Sequence, residues 1–425
     1  MRHSNSQAED EELRRLTPGG VSSPVRAFKP YPVVIDSGQG CRITDIDGNE
    51  YIDLCMAYGP LILGHSCPRV VKAVRDQIKK GSVFGAPSEP ETQLIRKIAS
   101  AVPCADMVRL ACSGTEATMH AIRLARGYTK KDGLVKMNGG FHGAHDAVLV
   151  AAGSGSAGSL PASAGVPKDA VKNTYTVEYN DPGSFESLLD KRNDIAAVIM
   201  EPVLGNVGVV PPQKDYLQQM RKITENHDVL LIFDEVITGF RLGPQSAQGF
   251  FGVTPDMTTM GKIIGGGYPA GAFMGRREIM ELVAPNGPVY AAGTFAGNPV
   301  SATAGLTTVE MMAEQNRYDR LAKRTADLAE RLSDLLTDSG ITGCVQHIAS
   351  MFSIYFGIDE VTCGGDAAKA DREMFGKMFG FMLNRGVYLP PGPMEVEFMS
   401  AATDQDAVNR VGDVFDDFLR SVKRE

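Results

Sequence analysis

Leu231-Ile232-Phe233-Asp234-Glu235 is an apolar run that ends in an acid pair. The run at 229–233 is rich in β-formers and too short for a helix, so it reads as a buried strand. Working outward, residues 107–111, 195–200 and 272–274 have the same texture. Residues 115–126, 215–226 and 299–312 carry helical patterns between them. Such alternation indicates an α/β fold whose mostly parallel sheet is covered by helices on both faces. Open sheets of this kind collect ligands outside the carboxyl ends of their strands, and Asp234 stands at such an end.

The next strand-like segment, Met257-Thr258-Thr259-Met260, leads into Gly261-Lys262 and then Ile263-Ile264-Gly265-Gly266-Gly267. A lysine among small and apolar residues is poorly solvated, which favours its neutral, nucleophilic amine. The glycines after it are read as permitting close approach of a flat ligand. An amine for an imine and an acid for a pyridine nitrogen are the two groups pyridoxal phosphate requires. Lys262 suits the first role and Asp234 the second. Singly, Asp234 would be a helix cap or ion-pair partner and Lys262 a surface lysine. Their weight comes from occurring with a phosphate turn.

Cys112-Ser113-Gly114-Thr115-Glu116-Ala117 supplies that turn. Free amides at a helix start, with the hydroxyls of Ser113 and Thr115, make an anion site. Phe141-His142-Gly143 offers an aromatic face for a heterocycle, and Asn206, after Glu201-Pro202, can donate to a phenolic oxygen.

The chain has 425 residues, enough for a large domain with a smaller one attached. A leucine pattern at 318–337, stopped by Gly340, and strand-like segments at 351–356 and 387–389 suggest a smaller α+β domain. The expected division is residues 1–60 joining the small domain, with an Asp47-Gly48 turn, then 61–310 as the large domain and 311–425 as the small one. A net charge of -8 and scattered basic pairs such as Lys79-Lys80 argue against a nucleic-acid surface. The polar segment 1–15 is not a secretory signal, and no apolar run reaches membrane-spanning length. Seven cysteines without a C-x-x-C pair indicate neither a metal site nor a disulfide framework, and reduced thiols point to the cytoplasm. Residues 151–165, nearly all small, are expected to form a mobile surface loop.

Taken together these motifs resemble the class III aminotransferases of the fold-type I pyridoxal phosphate enzymes, and among them the aminomutases. The likeness runs through Pro18-Gly19-Gly20-Val21-Ser22-Ser23-Pro24-Val25-Arg26, Gly64-His65-Ser66-Cys67-Pro68, Ser113-Gly114-Thr115-Glu116-Ala117 and Phe233-Asp234-Glu235-Val236, then Gly261-Lys262 and Gly293-Thr294-Phe295-Ala296-Gly297-Asn298-Pro299. The resemblance implies that Lys262 forms the imine, Asp234 faces the pyridinium and Val236 packs on the ring. It also implies that Ser113, Gly114 and Thr115 hold the phosphate, with Thr294 reaching in from the second subunit of a homodimer, and that Phe141, His142 and Asn206 contact the cofactor. Arg26 would take a substrate carboxylate through paired charge-assisted bonds. Ser23, Tyr58, Tyr290 and Glu395 would complete the substrate pocket, and 151–165 would form a gate over it. The implied reaction moves an amine within glutamate 1-semialdehyde, through a diamino intermediate, to give 5-aminolevulinate, using the pyridoxal and pyridoxamine forms of the cofactor.

The chain departs from the aminomutase pattern at Ala57-Tyr58, Cys112, Phe141, Gly392-Pro393-Met394 and Thr403, mostly near the expected substrate pocket. A second reading is therefore an aminotransferase of the same fold that exchanges amines between two substrates, such as a β- or ω-amino acid. A third is a catalytically silent binding protein, against which intact Lys262 and Asp234 speak.

Overall fold

The structure, a computed structural model, describes residues 1, 3–150 and 162–423; most of the expected 151–165 loop lies outside them. The chain forms two compact units. One comprises Met1–Cys67, Arg320–Glu360 and Lys369–Glu425, and the other Pro68–Asp319 and Val361–Ala368. The chain thus leaves the second unit nine residues beyond the expected boundary at 310, shortly after helix Arg317–Ser339 begins, and rejoins it at 361–368.

Among the described residues, the larger unit holds a seven-stranded sheet. Its spatial order is Met107–Ala111, Gly271–Gly275, Met257–Met260, Leu230–Glu235, Ile195–Met200, Gly133–Met137 and Thr174–Val177. Gly271–Gly275 runs antiparallel to both its neighbours, while every other pair is parallel. All six residues of Ile195–Met200 and of Leu230–Glu235 are buried. That explains their unbroken apolar runs, because a strand covered on both faces has no solvent side to alternate with. Helix Gly114–Thr129 lays Ala121, Ile122, Leu124 and Ala125 on one face, in a cluster with Ala197, Ile199, Ile232 and Phe273. Small residues on this helix allow a close approach to the sheet. The strand read at 229–233 begins one residue later and takes in both acids, so Asp234 and Glu235 are paired with their neighbours, not hanging past the strand end.

The other unit contains a four-stranded sheet of Ile35–Gln39, Arg42–Asp45, Glu50–Asp53 and Val387–Tyr388, and a three-stranded antiparallel sheet of Gly343–Ile348, Met351–Phe356 and Glu397–Phe398, among the described residues. Gly48, at φ +82, makes the turn between the second and third strands of the first sheet. Helix Arg317–Ser339 buries Leu321, Leu328, Leu332 and Leu336, leaves Leu335 half-buried, and stops before Gly340 at φ +70. Among the described residues no helix is long and apolar enough to cross a membrane.

Candidate active site

The anion turn is built by capping. Strand Met107–Ala111 delivers the chain to Ser113, the N-cap of helix Gly114–Thr129. Ser113 Oγ accepts from the Glu116 amide at 3.2 Å, and Glu116 Oε2 accepts from the Cys112 amide at 2.8 Å. This reciprocal arrangement satisfies the third amide of the helix and leaves those of Gly114 and Thr115 at its head, without intrahelical carbonyls behind them. They can therefore bind an anion. Gly114 is needed for contact: a Cβ there would lie 2.9 Å from the Val236 side chain.

The acid pair is divided by strand geometry. Successive side chains of a strand point to opposite faces, so only one of Asp234 and Glu235 can face a ligand. Asp234 Oδ2 lies 2.7 Å from His142 Nδ1, and Oδ1 accepts from the Val236 amide at 3.1 Å and from Thr259 Oγ1 at 3.2 Å. Glu235 accepts instead from the Ala247 amide at 2.6 Å and Gln248 Nε2 at 2.9 Å, which ties the strand to helix Ser246–Phe251. Burial pushes the Glu235 carboxyl up to about 7. His142 is buried, and burial holds its pKa below the usual imidazole value against the opposing pull of Asp234. The imidazole is therefore neutral near pH 7 and its Nδ1–H donates to the carboxylate.

Lys262 follows strand Met257–Met260, half-buried, with φ at +48, a left-handed conformation unusual for a residue with a side chain. Packing holds it there. A Cβ on Gly305 would lie 1.7 Å from the Ile264 carbonyl oxygen, and one on Gly266 would lie 2.5 Å from that of Ala304. Helix Pro299–Met312 thus rests directly on the turn after the lysine. Gly266 serves helix-to-turn contact and a Cβ on Gly265 would meet Ala270 at 3.2 Å, so packing accounts for these two glycines of the Gly265–Gly267 stretch.

Ser113, Gly114, Thr115, Phe141, His142, Asn206, Asp234, Val236 and Lys262 all line one cavity of about 270 Å³. Phe141 is 40% exposed and presents its ring there. The sequence reading missed Thr118, Gly143 and Ile237, and above all Glu201, which lines the same cavity. Glu201 accepts from the Phe141 amide at 3.0 Å, the Gly205 amide at 3.0 Å and Asn206 Nδ2 at 2.9 Å, so one hydrogen of the Asn206 amide is already engaged. Burial, with the nearby Asp234 charge, raises the Glu201 carboxyl to about 8. Its signal was available, since Glu201 follows strand Ile195–Met200 directly, at the level of the sheet where Asp234 sits.

Thr294 and Tyr290 are exposed and are not among the described residues lining this cavity. The remaining expected residues, Ser23, Arg26, Tyr58 and Glu395, belong to the other unit. There Tyr58 donates to the Val25 carbonyl at 2.6 Å, fixing the turn that carries Ser23 and Arg26. Burial raises the Tyr58 pKa, and the charges of Glu395 and Arg26 act on the same phenol, which brings three of the four together. Met56, Ala57 and Tyr58 all have positive φ, at +44, +56 and +64, so the departure at Ala57-Tyr58 sits in a strained left-handed turn.

An anion-holding helix start, an acid held by three hydrogen-bond partners, an amine and an aromatic side chain in one cavity are what pyridoxal phosphate asks of a protein, and the residues present fit it. The family model for class III aminotransferases matches residues 25–407, and the chain belongs to that family. It is 51% identical over 394 residues, 92% of this chain and 93% of the other, to a glutamate-1-semialdehyde 2,1-aminomutase of Methanococcoides burtonii. Among solved structures, an omega-transaminase from Sphaerobacter thermophilus superposes with a TM-score of 0.93 at 32% identity, covering 98% of each chain. A variant glutamate-1-semialdehyde aminomutase from Pseudomonas aeruginosa PAO1 in complex with PMP gives a TM-score of 0.88 at 27% identity, covering 98% of this chain and 94% of that one.

Proposed function

We propose that this chain is a pyridoxal-phosphate-dependent aminomutase that converts glutamate 1-semialdehyde to 5-aminolevulinate, working as a cytoplasmic homodimer. The observation that carries the reading is the convergence of Lys262, Asp234 and the Ser113–Thr115 turn on one cavity. Backbone likeness does not choose between aminomutase and transaminase, because both kinds of structure superpose closely. Sequence identity does favour the aminomutase, at 51% against 32%.

In the pyridoxamine form the cofactor supplies an exchangeable amine and a ring that takes up the electrons of a broken C–H bond. The amides of Gly114 and Thr115, with the hydroxyls of Ser113 and Thr115, would hold its phosphate. Phe141 and Val236 would pack on the ring, and Asn206 would donate to its phenolic oxygen. Asp234 would keep the pyridine nitrogen protonated, and its own orientation is set by His142, Thr259 and the Val236 amide. Lys262 Nζ would carry the proton between the cofactor's amine-bearing carbon and each of the two substrate carbons in turn. Arg26 binds the substrate carboxylate, with Ser23, Tyr58, Tyr290 and Glu395 shaping recognition, and Thr294 serves the phosphate of a second subunit. The exposure of Thr294 and Tyr290 in the single chain supports that last assignment.

The test is to supply purified protein with glutamate 1-semialdehyde and no amino donor. An aminomutase forms 5-aminolevulinate over many turnovers. Product only after a second amine is added would instead make the chain an intermolecular aminotransferase.

A further inference from the structure

Strand Gly133–Met137 reads Gly-Leu-Val-Lys-Met, and its lysine is completely buried. An ammonium taken out of water costs several kcal/mol unless it is well paired, so a lysine in the middle of an all-buried strand is expensive for folding alone. Its contacts show what it accomplishes. Lys136 Nζ donates to the Gly140 carbonyl at 2.7 Å and to the Val150 carbonyl at 3.0 Å. These oxygens lie ten residues apart and bracket the segment that carries Phe141, His142 and Gly143. Its far half is held elsewhere, with the Ala147 carbonyl accepting from Thr174 Oγ1 at 2.7 Å, but the tethers of Phe141 and His142 lead to the cofactor cavity. The Phe141 amide donates to Glu201 at 3.0 Å, the His142 carbonyl accepts from Thr118 Oγ1 at 2.6 Å, and His142 donates to Asp234. Gly143 comes so close to the anion turn that a Cβ would lie 2.7 Å from Thr115.

We infer that Lys136 is a positioning residue for the cofactor: by drawing the Gly140 and Val150 carbonyls onto one buried ammonium, it sets the Phe141 face and the His142–Asp234 pair before the cofactor arrives. Preorganisation of this kind raises affinity by removing the cost of ordering a loop on binding. The inference rests on the cofactor reading above, and a wild-type protein that fails to bind pyridoxamine 5′-phosphate would refute that reading instead.

Lys136→Met keeps the side-chain length and removes the charge. Its affinity for pyridoxamine 5′-phosphate, measured by titration of the apo-protein well below the melting temperature, is expected to fall about tenfold or more. Inorganic phosphate, read by the shift it causes in apo-protein melting, should keep its affinity, because the Gly114–Thr115 amides do not depend on Lys136. Leu134→Ala on the same strand is the control for mere destabilisation: it should melt earlier yet bind pyridoxamine 5′-phosphate as the wild type does. Wild-type affinity in Lys136→Met, a loss no larger than that of Leu134→Ala, or an equal loss of phosphate binding would each overturn the inference. If Lys136→Met does not fold, hydrogen exchange on the wild-type apo-protein decides. A slowly exchanging Phe141 amide supports preorganisation, and one protected only after pyridoxamine 5′-phosphate is added refutes it.

Discussion

At the residue scale, two neighbouring acids with the same chemistry take unrelated duties. Asp234 faces the cavity and Glu235 knits the strand to a helix, because the pleat sends them to opposite faces. Asp234→Asn should therefore fold normally and lose a factor of roughly a hundred or more in kcat, since an amide cannot keep the pyridine nitrogen protonated. Near-wild-type kinetics would move that role to another acid, for which Glu201 is the neighbour to examine. Lys262→Ala should abolish turnover and the visible absorbance of an imine-bound cofactor, while pyridoxamine 5′-phosphate still binds. Retained turnover would remove Lys262 from the mechanism. Both side chains were legible in sequence because each carries its chemistry in its type and its place at the end of a strand. Glu201 offered the same strand-end signal and was passed over, whereas Lys136 was not legible, because what marks it is complete burial and the two carbonyls it holds.

At the element scale, the site depends on how closely two pieces of backbone approach. Helix Pro299–Met312 meets the Lys262 turn at Gly305, where no side chain fits. Gly305→Ala should push the helix off that turn and cost about 1–3 kcal/mol or more, read as a lower melting temperature together with weaker pyridoxamine 5′-phosphate binding. Unchanged stability would mean that the helix can slide without cost. The apolar runs foretold the buried strands, and the leucine spacing foretold helix Arg317–Ser339. What the pattern could not foretell is that Gly271–Gly275 reverses direction within an otherwise parallel sheet. An apolar strand buried on both faces looks the same in either orientation.

At the scale of the whole molecule, several ionisable groups have been carried into the interior and make stability depend on pH. Burial raises Glu201 and Glu397 to about 8 and Glu235 to about 7, each above the roughly 4.3 of an unfolded glutamate. A carboxyl whose folded pKa is raised holds its proton longer in the native state, so its contribution is complete below the unfolded pKa and is lost as pH rises towards the folded one. The apo-protein should therefore lose stability between about pH 5 and 8. Lys136, lowered to about 8 by burial, acts with the opposite sign and only above that pH. Glu397→Gln removes one titrating site that is not among the described residues lining the cofactor cavity, so urea unfolding at pH 5.5, 7 and 8.5 should show a shallower decline than in the wild type. An identical slope would mean that Glu397 does not ionise across this range.

The residue order alone carried the strands, the principal helices and the readings of Lys262, Asp234 and the Ser113–Thr115 turn, and its motifs resemble the family to which the chain belongs. The elements and the turn are local: they follow from hydrophobic period, helix capping and side-chain chemistry within a few residues, whereas the family rests on the resemblance of motifs spread along the chain. Tertiary structure alone decided what holds Asp234 in place, that Gly266 packs a helix, and that Glu201 and Lys136 hold the backbone around Phe141. Apart from the contacts of Lys136, which reach only four and fourteen residues along the chain, those are facts of proximity between segments tens of residues apart, and burial, the force that brings such segments together, leaves no mark on any one of them by itself.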